Sequence, residues 1–152
     1  MTLKIEGKYE VLSELGEGSF GKIFKGVNVN TGVEIAVKIE KDEGGILLKN
    51  EAYMYRQLSD MTGIPTMRSF GVEDKYTYLV MDLLGGTLEE LLQTHGGKMP
   101  LRMAIIIGLQ MMKRVEELHK RGIIHRDIKP DNYFLFNDMS LKLGDFGISR
   151  RE

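Results

Sequence analysis

The stretch His125-Arg126-Asp127-Ile128-Lys129-Pro130-Asp131-Asn132 lies between a long apolar segment and a short hairpin that ends in Asp145-Phe146-Gly147. Within it a carboxylate, a cation and an amide follow one another closely, at Asp127, Lys129 and Asn132. Together with the carboxylate of Asp145, these groups suffice to orient a hydroxyl, screen a phosphate and hold magnesium. The alternative is a polar turn of surface charges, since proline and asparagine are common turn residues. The order and spacing favour a phosphoryl-transfer loop whose side chains point into one cleft.

Length, charge and cysteine content narrow the class of protein. The chain has 152 residues, 42% of them hydrophobic, which is enough for one domain with a real core. A formal net charge of -1 with mixed signs argues against general binding of nucleic acid or of an anionic membrane. The absence of cysteine excludes a disulfide scaffold and a thiolate zinc site. The first residues lack the apolar run of a signal peptide, so we expect a cytoplasmic and/or nuclear location.

A glycine-rich segment, Gly16-Glu17-Gly18-Ser19-Phe20-Gly21, joins two predicted strands at residues 9–15 and 22–29. The same glycine pattern marks dinucleotide-binding oxidoreductases, but that site needs a helix to open at the last glycine. Here the residues after Gly21 have strand character. The segment therefore favours a flap between antiparallel strands, whose backbone can approach phosphates because side chains are missing.

Residues 33–40 alternate between apolar and other side chains, so Ala36 and Lys38 share one face of a predicted strand. A small residue leaves room for a flat base, and a lysine one pleat along can reach the phosphates of the same ligand. The next segment, residues 46–58, has helical spacing that places Glu51 on the apolar face. A carboxylate there needs a partner, and Lys38 is the natural one. The alternatives are a solvated charged strand face and a glutamate that reaches solvent.

Two more strands, at residues 67–72 and 76–81, complete a predicted antiparallel sheet of five strands with one helix. Residues 82–86 then form a glycine-containing connector, which we expect to act as a hinge lining the cleft. A capping box at Thr87 starts a short helix. Pro100 opens a longer one from Leu101 to about Lys120, which is so apolar on all sides that we expect burial all round.

These motifs, in this order, resemble the eukaryotic protein kinases over essentially the whole chain. Gly-Glu-Gly-Ser-Phe-Gly, Val80-Met81-Asp82-Leu83-Leu84-Gly85 and Arg126-Asp-Ile-Lys-Pro-Asp-Asn132 are most similar to the casein kinase I family. The resemblance implies an α+β kinase fold with a small lobe at 1–81, a hinge at 82–86 and part of a large lobe at 87–152. It implies transfer of the ATP γ-phosphoryl group to serine or threonine of protein substrates.

The resemblance also implies a role for individual residues. Lys38 binds the ATP phosphates and pairs with Glu51, Asp127 orients the substrate hydroxyl, and Lys129 marks the serine/threonine type. Asn132 and Asp145 hold Mg2+. The residues implied in nucleotide binding are Leu15, Gly16, Gly18, Gly21, Ile23, Ala36, Lys38, Met81, Asp82, Leu84 and Phe134. Arg126 matches an arginine that usually meets an activation-loop phosphate.

The kinase pattern stops just past Asp145, before the activation loop and the peptide-docking surface. We therefore expect the helix at 101–120 to lack part of its cover, and the large-lobe part to be molten, aggregated or covered by a partner chain. On this view the 152-residue chain alone binds ATP weakly at most and phosphorylates no protein above background. The alternative function is a non-catalytic nucleotide-binding or interaction module.

One departure from the family pattern concerns volume. By the resemblance, Phe134 takes the position of the adenine floor, where relatives carry leucine, and Gly144 takes a facing position, where they tend to carry a bulkier apolar residue. We hypothesise that the two changes compensate each other.

Overall fold

A computed structural model of the chain describes residues 2–18, 21–41, 45–73, 75–136 and 140–152. The chain forms two compact units, Met1–Ser59 with Thr66–Leu83 (unit 1) and Asp60–Pro65 with Leu84–Glu152 (unit 2). Ser19 and Phe20 of the glycine-rich segment, and Asp74 between the predicted strands at 67–72 and 76–81, lie outside the described residues. Hinge action at 82–86 stays a prediction.

Unit 1 is built on an antiparallel sheet with one helix. Its elements are β1 (Lys4–Ile5), β2 (Tyr9–Gly18), β3 (Gly21–Asn28), β4 (Glu34–Glu40), α1 (Ile46–Gln57), β5 (Met67–Glu73) and β6 (Tyr76–Asp82). Within the described residues the sheet has six strands, in the order β1-β2-β3-β4-β6-β5. The expected number of five is wrong, because Lys4 and Ile5 pair with Glu10 and Tyr9. Two residues are too few to leave an alternating pattern in the sequence.

Strand β4 is buried on both faces, although its sequence alternates. Ile35, Val37 and Ile39 belong to the core on one side, and Ala36 and Glu40 are buried on the other. Glu40 is buried because its Oε2 accepts a hydrogen bond from the backbone N–H of Leu48, in the first turn of α1, at 3.3 Å. That contact supplies α1 with a carboxylate near its N-terminus, where a negative charge is favourable.

Unit 2 contains helices and, among its described residues, two short antiparallel sheets of two strands each. Its elements are α2 (Leu88–Thr94), α3 (Leu101–Lys120), β7 (Ile123–Ile124), a 3-10 turn (Pro130–Asn132), β8 (Tyr133–Leu135), β9 (Leu141–Leu143) and β10 (Arg150–Arg151). β7 pairs with β10, and β8 pairs with β9. The capping box is confirmed, because the Thr87 hydroxyl accepts from Glu90 N–H while the Glu90 carboxylate accepts from Thr87 N–H.

Helix α3 has the predicted bounds but not the predicted burial. Within the described part of unit 2, Ile107 and Leu118 are its buried residues. Five large apolar side chains are 44% to 76% exposed, namely Leu101, Ile105, Ile106, Leu109 and Met112. The expectation of burial all round is therefore wrong, because the described elements pack against one side of the helix. The expectation that the helix lacks part of its cover is confirmed within the described residues. Among the described residues, none of the helices combines the length and hydropathy that a membrane span requires.

Candidate active site

Lys38 and Glu51 form an ion pair inside unit 1. Lys38 Nζ donates to Glu51 Oε1 at 2.7 Å, from β4 to α1. The lysine side chain is 16% exposed and the glutamate side chain 3%. The predicted pairing of Lys38 with Glu51 is therefore confirmed. Glu51 is buried on the apolar face of α1 with its charge balanced by Lys38. Both side chains are largely shielded from solvent, so the direct hydrogen bond holds the ammonium group of Lys38 in a fixed direction relative to the Glu51 carboxylate.

The strand register places several nucleotide-binding candidates next to one another. Ile23 stands opposite Lys38 in β4 and opposite Gly16 in β2, so the three form one row across the sheet. Two positions along, Ala36 stands opposite Met81 in β6. Ala36 and Met81 are both buried. The row of Gly16, Ile23 and Lys38, with the small Ala36 two positions before Lys38 on the same strand, is compatible with a flat base and its phosphates.

The packing around the glycines of the motif requires glycine at one position, Gly21, and not at another, Gly16. A Cβ atom at Gly16 would meet no heavy atom within 4 Å, so the protein itself does not require glycine there. A Cβ atom at Gly21 would overlap the carbonyl oxygen of Ile39, and Gly21 has a φ of +152°. Gly21 is therefore needed for the close approach of β3 to β4. Gly18 stands opposite Gly21 at the end of the strand pair.

Four further nucleotide candidates are spread over both units. In unit 1, Leu15 is exposed, and Asp82 is held at the end of β6 by a two-fold hydrogen bond from Arg68 at 2.6 and 3.1 Å. In unit 2, Leu84 and Phe134 are partly buried. Their roles in binding a nucleotide stay predictions.

His125 is the buried residue around which the loop at 125–132 of unit 2 is arranged. Its ring is 1% exposed. Nδ1 accepts the backbone N–H of Asp127 at 3.1 Å, which leaves Nε2 to donate to the Gly144 carbonyl at 2.7 Å. The ring of Phe146 packs edge-on against it at 4.8 Å between centroids. A turn of surface charges is therefore the wrong interpretation of this stretch. Sequence analysis did not predict that a buried His125 links the loop to Gly144 and Phe146.

Asp127 and Asn132 are joined directly. Asn132 Nδ2 donates to the Asp127 backbone carbonyl at 2.7 Å and to its carboxylate at 3.0 Å. Lys129 Nζ lies 3.6 Å from the other carboxylate oxygen of Asp127. Asn132 is buried, whereas the side chains of Asp127 and Lys129 remain partly exposed. The carboxylate is thus oriented from inside the protein and still reaches solvent.

The segment before Asp145 is held by the same loop. Gly144 N–H donates to the Asn132 carbonyl at 2.9 Å, while its carbonyl is the acceptor for His125. Asp145 itself has a φ of 56°, and Arg126 has a φ of 71°, both unusual for residues with side chains. Such backbone conformations persist only where surrounding contacts enforce them, and they concentrate at functional sites. Here Arg126 Nε donates to the Ile148 carbonyl at 2.6 Å.

Asn132 and Asp145 have the donor chemistry that Mg2+ prefers, an amide oxygen and a carboxylate oxygen. The described residues contain no cluster of three His, Asp or Glu side chains that could hold a metal ion. Mg2+ commonly binds through one or two protein oxygens and completes its shell with water and substrate phosphates. The residues present therefore fit a magnesium ion that arrives with a phosphate ligand.

Residues 9–152 match the family model described as the protein kinase domain. The chain therefore belongs to the protein kinase domain family, whose members transfer phosphoryl groups to protein substrates and generally use ATP and Mg2+. The expected fold, a kinase small lobe and the first part of a helical large lobe, is confirmed apart from the number of strands.

Proposed function

We propose that this chain carries the residues for transfer of the ATP γ-phosphoryl group to serine or threonine, in the manner of the casein kinase I family. The observation that supports this most is the pair formed by Asp127 and Asn132, with Lys129 beside it. One residue of the pair presents a carboxylate to solvent, and the other is a buried amide that fixes it. By the resemblance to protein kinases, Lys129, two residues after Asp127, is typical of kinases that phosphorylate serine or threonine.

In unit 2, the proposed task of Asp127 is to accept a hydrogen bond from the substrate hydroxyl and to take its proton. Lys129 lies 3.6 Å from that carboxylate and would screen the phosphate charge that approaches it. Asn132 and Asp145 would hold Mg2+, which neutralises charge on the phosphate oxygens when it is bound. These groups act by position and charge, without a covalent intermediate.

In unit 1, the proposed task of Lys38 is to contact the ATP phosphates, with Glu51 fixing the direction of its ammonium group. The open space over Gly16 suits close approach of a phosphate to the backbone. The paired positions of Ala36 and Met81 suit a flat adenine ring, since Ala36 leaves room beside a flexible apolar side chain.

A second candidate function is nucleotide binding or protein interaction without catalysis. The observation that favours it is the exposed apolar side of α3, where Leu101, Leu109 and Met112 are largely open to solvent. Exposed apolar surface of this kind marks either an interaction site or a tendency to aggregate.

One experiment separates the two candidates. The 152-residue chain is incubated with Mg2+, γ-labelled ATP and a protein that offers serine, threonine and tyrosine, and the labelled amino acids are identified after acid hydrolysis. Label on serine or threonine that Asp127→Ala abolishes supports the first candidate, whereas label on tyrosine contradicts it. Binding of labelled ATP with no transferred label supports the second candidate.

A further inference from the structure

Two side chains of α3 hold both backbone groups of one residue in β9. Leu141 N–H donates to Gln110 Oε1 at 2.8 Å, and the Leu141 carbonyl accepts from Arg114 Nε at 2.9 Å. Gln110 and Arg114 are four residues apart, so they project from the same side of the helix. Buried Ile107 and Leu118 lie on that side as well. The inward face of α3 thus carries two polar residues among its apolar ones.

The register of the hairpin explains why side chains take this role. Leu141 stands opposite Leu135 in β8, and Phe136 N–H donates to the Ser140 carbonyl at 2.7 Å. In an antiparallel pair, residues that exchange hydrogen bonds alternate with residues whose backbone groups point away from the partner strand. Leu141 is of the second kind. Its N–H and carbonyl face the outer edge of β9, where Gln110 and Arg114 replace a neighbouring strand.

Gly63 makes room for this arrangement. A Cβ atom at Gly63 would overlap Cδ and Nε of Arg114, so a side chain there would displace the guanidinium group. The Gly63 carbonyl also accepts the N–H of Leu143, the next outward-facing residue of β9, at 2.9 Å. The outer edge of β9 is therefore held at both of its ends.

We infer that Gln110 and Arg114 are positioning residues for Asp145, acting through β9. Asp145 follows Leu143 by two residues, and the intervening Gly144 is hydrogen-bonded at both its N–H and its carbonyl. Gly144 thus joins the end of β9 to the loop that carries His125 and Asn132, and we expect a shift of β9 to be passed through Gly144 to the backbone of Asp145. Neither α3 residue is proposed to touch metal or nucleotide. The inference rests on the proposed role of Asp145 in holding Mg2+.

The first test measures the contact itself, by amide hydrogen exchange of Leu141 in the full chain. Gln110→Met removes the acceptor and should accelerate exchange of Leu141 about tenfold, whereas Gln110→Glu retains an acceptor oxygen and should keep the wild-type rate. Gln93→Met, at an exposed position of α2, is the matched control and should leave Leu141 unchanged. Equal exchange in Gln110→Met and wild type would overturn the inference.

The second test measures metal binding without turnover. Free Mn2+ is titrated by electron paramagnetic resonance with the full chain and an ATP analogue whose β–γ bridge is not hydrolysed. Gln110→Met and Arg114→Met should raise the Mn2+ concentration at half-saturation by about tenfold or more, as supporting residues of metal sites do. Gln110→Glu should restore the wild-type value, and the exposed Arg102→Met should not change it. Faster Leu141 exchange with unchanged Mn2+ binding would reduce the two residues to a purely structural role and overturn the inference.

Asp145→Asn separates this inference from the proposed function. If Asp145→Asn weakens Mn2+ binding and the α3 variants do not, the inference fails while the metal role stands. If Asp145→Asn binds Mn2+ as the wild type does, the proposed metal role fails and the positioning role fails with it. Weakening by all three substitutions, with rescue by Gln110→Glu, supports both.

Discussion

In unit 2 the ring of Phe134 lies against Gly144, where a side chain at position 144 would otherwise extend. A Cβ atom at Gly144 would lie 3.0 Å from Phe134 Cε2 and 3.3 Å from Cδ2, closer than ordinary van der Waals contact. Gly144 directly follows β9, and the ring of Phe134 comes from β8. The large ring and the missing side chain are thus two halves of one packing arrangement, as the compensation hypothesis requires.

We predict that Gly144→Ile destabilises the chain by about 1 to 3 kcal/mol, because the added side chain overpacks against the Phe134 ring. Phe134→Leu in the same chain should recover much of that loss. The free energies of unfolding in urea, measured for the double-mutant cycle, give the coupling between the two positions. Phe136→Leu, two residues along the same segment, is the control and should combine additively with Gly144→Ile. Additive effects for Phe134→Leu as well would show that the positions are uncoupled.

The Lys38–Glu51 pair should show the asymmetry of buried ion pairs. Lys38→Met leaves a carboxylate that is 3% exposed without its ammonium partner, at a cost of about 3 to 5 kcal/mol in the free energy of unfolding. The double variant Lys38→Met with Glu51→Leu should be more stable than Lys38→Met alone. In the exposed pair of Lys25 and Glu34, Lys25→Met should cost under about 1 kcal/mol. Urea unfolding at neutral pH measures all four chains, and equal losses for Lys38→Met and Lys25→Met would contradict the prediction.

Asp127→Ala and Asp145→Ala should each lower phosphoryl transfer by orders of magnitude, measured within an active kinase domain that contains this segment. They should differ in nucleotide binding, because Asp127 is proposed to meet the substrate hydroxyl and Asp145 the metal ion. Asp127→Ala should keep the affinity for Mg2+ and ATP, and Asp145→Ala should lose it. Asp131→Ala, an exposed carboxylate of the same loop, is the control. Near-normal transfer by either of the first two variants would remove that residue from the site.

Tyr133 should make the stability of the chain depend on alkaline pH. Its ring is fully buried and its hydroxyl donates to the Met111 carbonyl at 2.9 Å. Burial raises the pKa of Tyr133 to about 12. Since the pKa in the folded chain exceeds that of about 10 in the unfolded chain, the full stability is present below pH 10. It should fall by up to about 1.4 kcal/mol per pH unit between about pH 10 and 12.

The test of this pH dependence is urea unfolding as a function of pH. Tyr133→Phe removes the ionisable hydroxyl and should flatten the loss between pH 10 and 12. Tyr53→Phe, at an exposed position of α1, should keep the wild-type slope. Identical slopes for Tyr133→Phe and wild type would show that another group governs alkaline unfolding.

The outer side of α3 should dominate the surface hydrophobicity of the chain. Replacing Leu101, Leu109 and Met112 by glutamate or lysine should lower the binding of a hydrophobic dye and reduce aggregation, with little change in unfolding free energy, because these side chains are exposed. Ile107→Lys is the contrasting variant. Ile107 is buried on the inner side, so this change should unfold unit 2. Unchanged dye binding in the triple variant would place the apolar surface elsewhere.

Local patterns in the sequence predicted the longer helices and strands, but not the two-residue strands β1, β7 and β10. The capping box at Thr87 and the start of α3 after Pro100 were recovered because helix ends depend on a few neighbouring residues. The pairing of Lys38 with Glu51 was also predictable, because strand and helix periodicity put both on faces where a lone charge is costly. Residue type and spacing from His125 to Asn132 predict a phosphoryl-transfer loop, and the catalytic roles of its side chains stay predictions.

Tertiary structure decided which face of each element is covered. The burial of Glu40 and the open side of α3 depend on what packs against them, and an apolar or charged residue does not encode its neighbour. The hydrogen bond from His125 to Gly144, and those of Gln110 and Arg114 with Leu141, involve backbone groups from distant segments of the chain. The sequence by itself determined which chemical groups this protein has and in what order. The fold decided which of them meet, because hydrogen bonds to backbone atoms far along the chain leave no periodic trace in residue type.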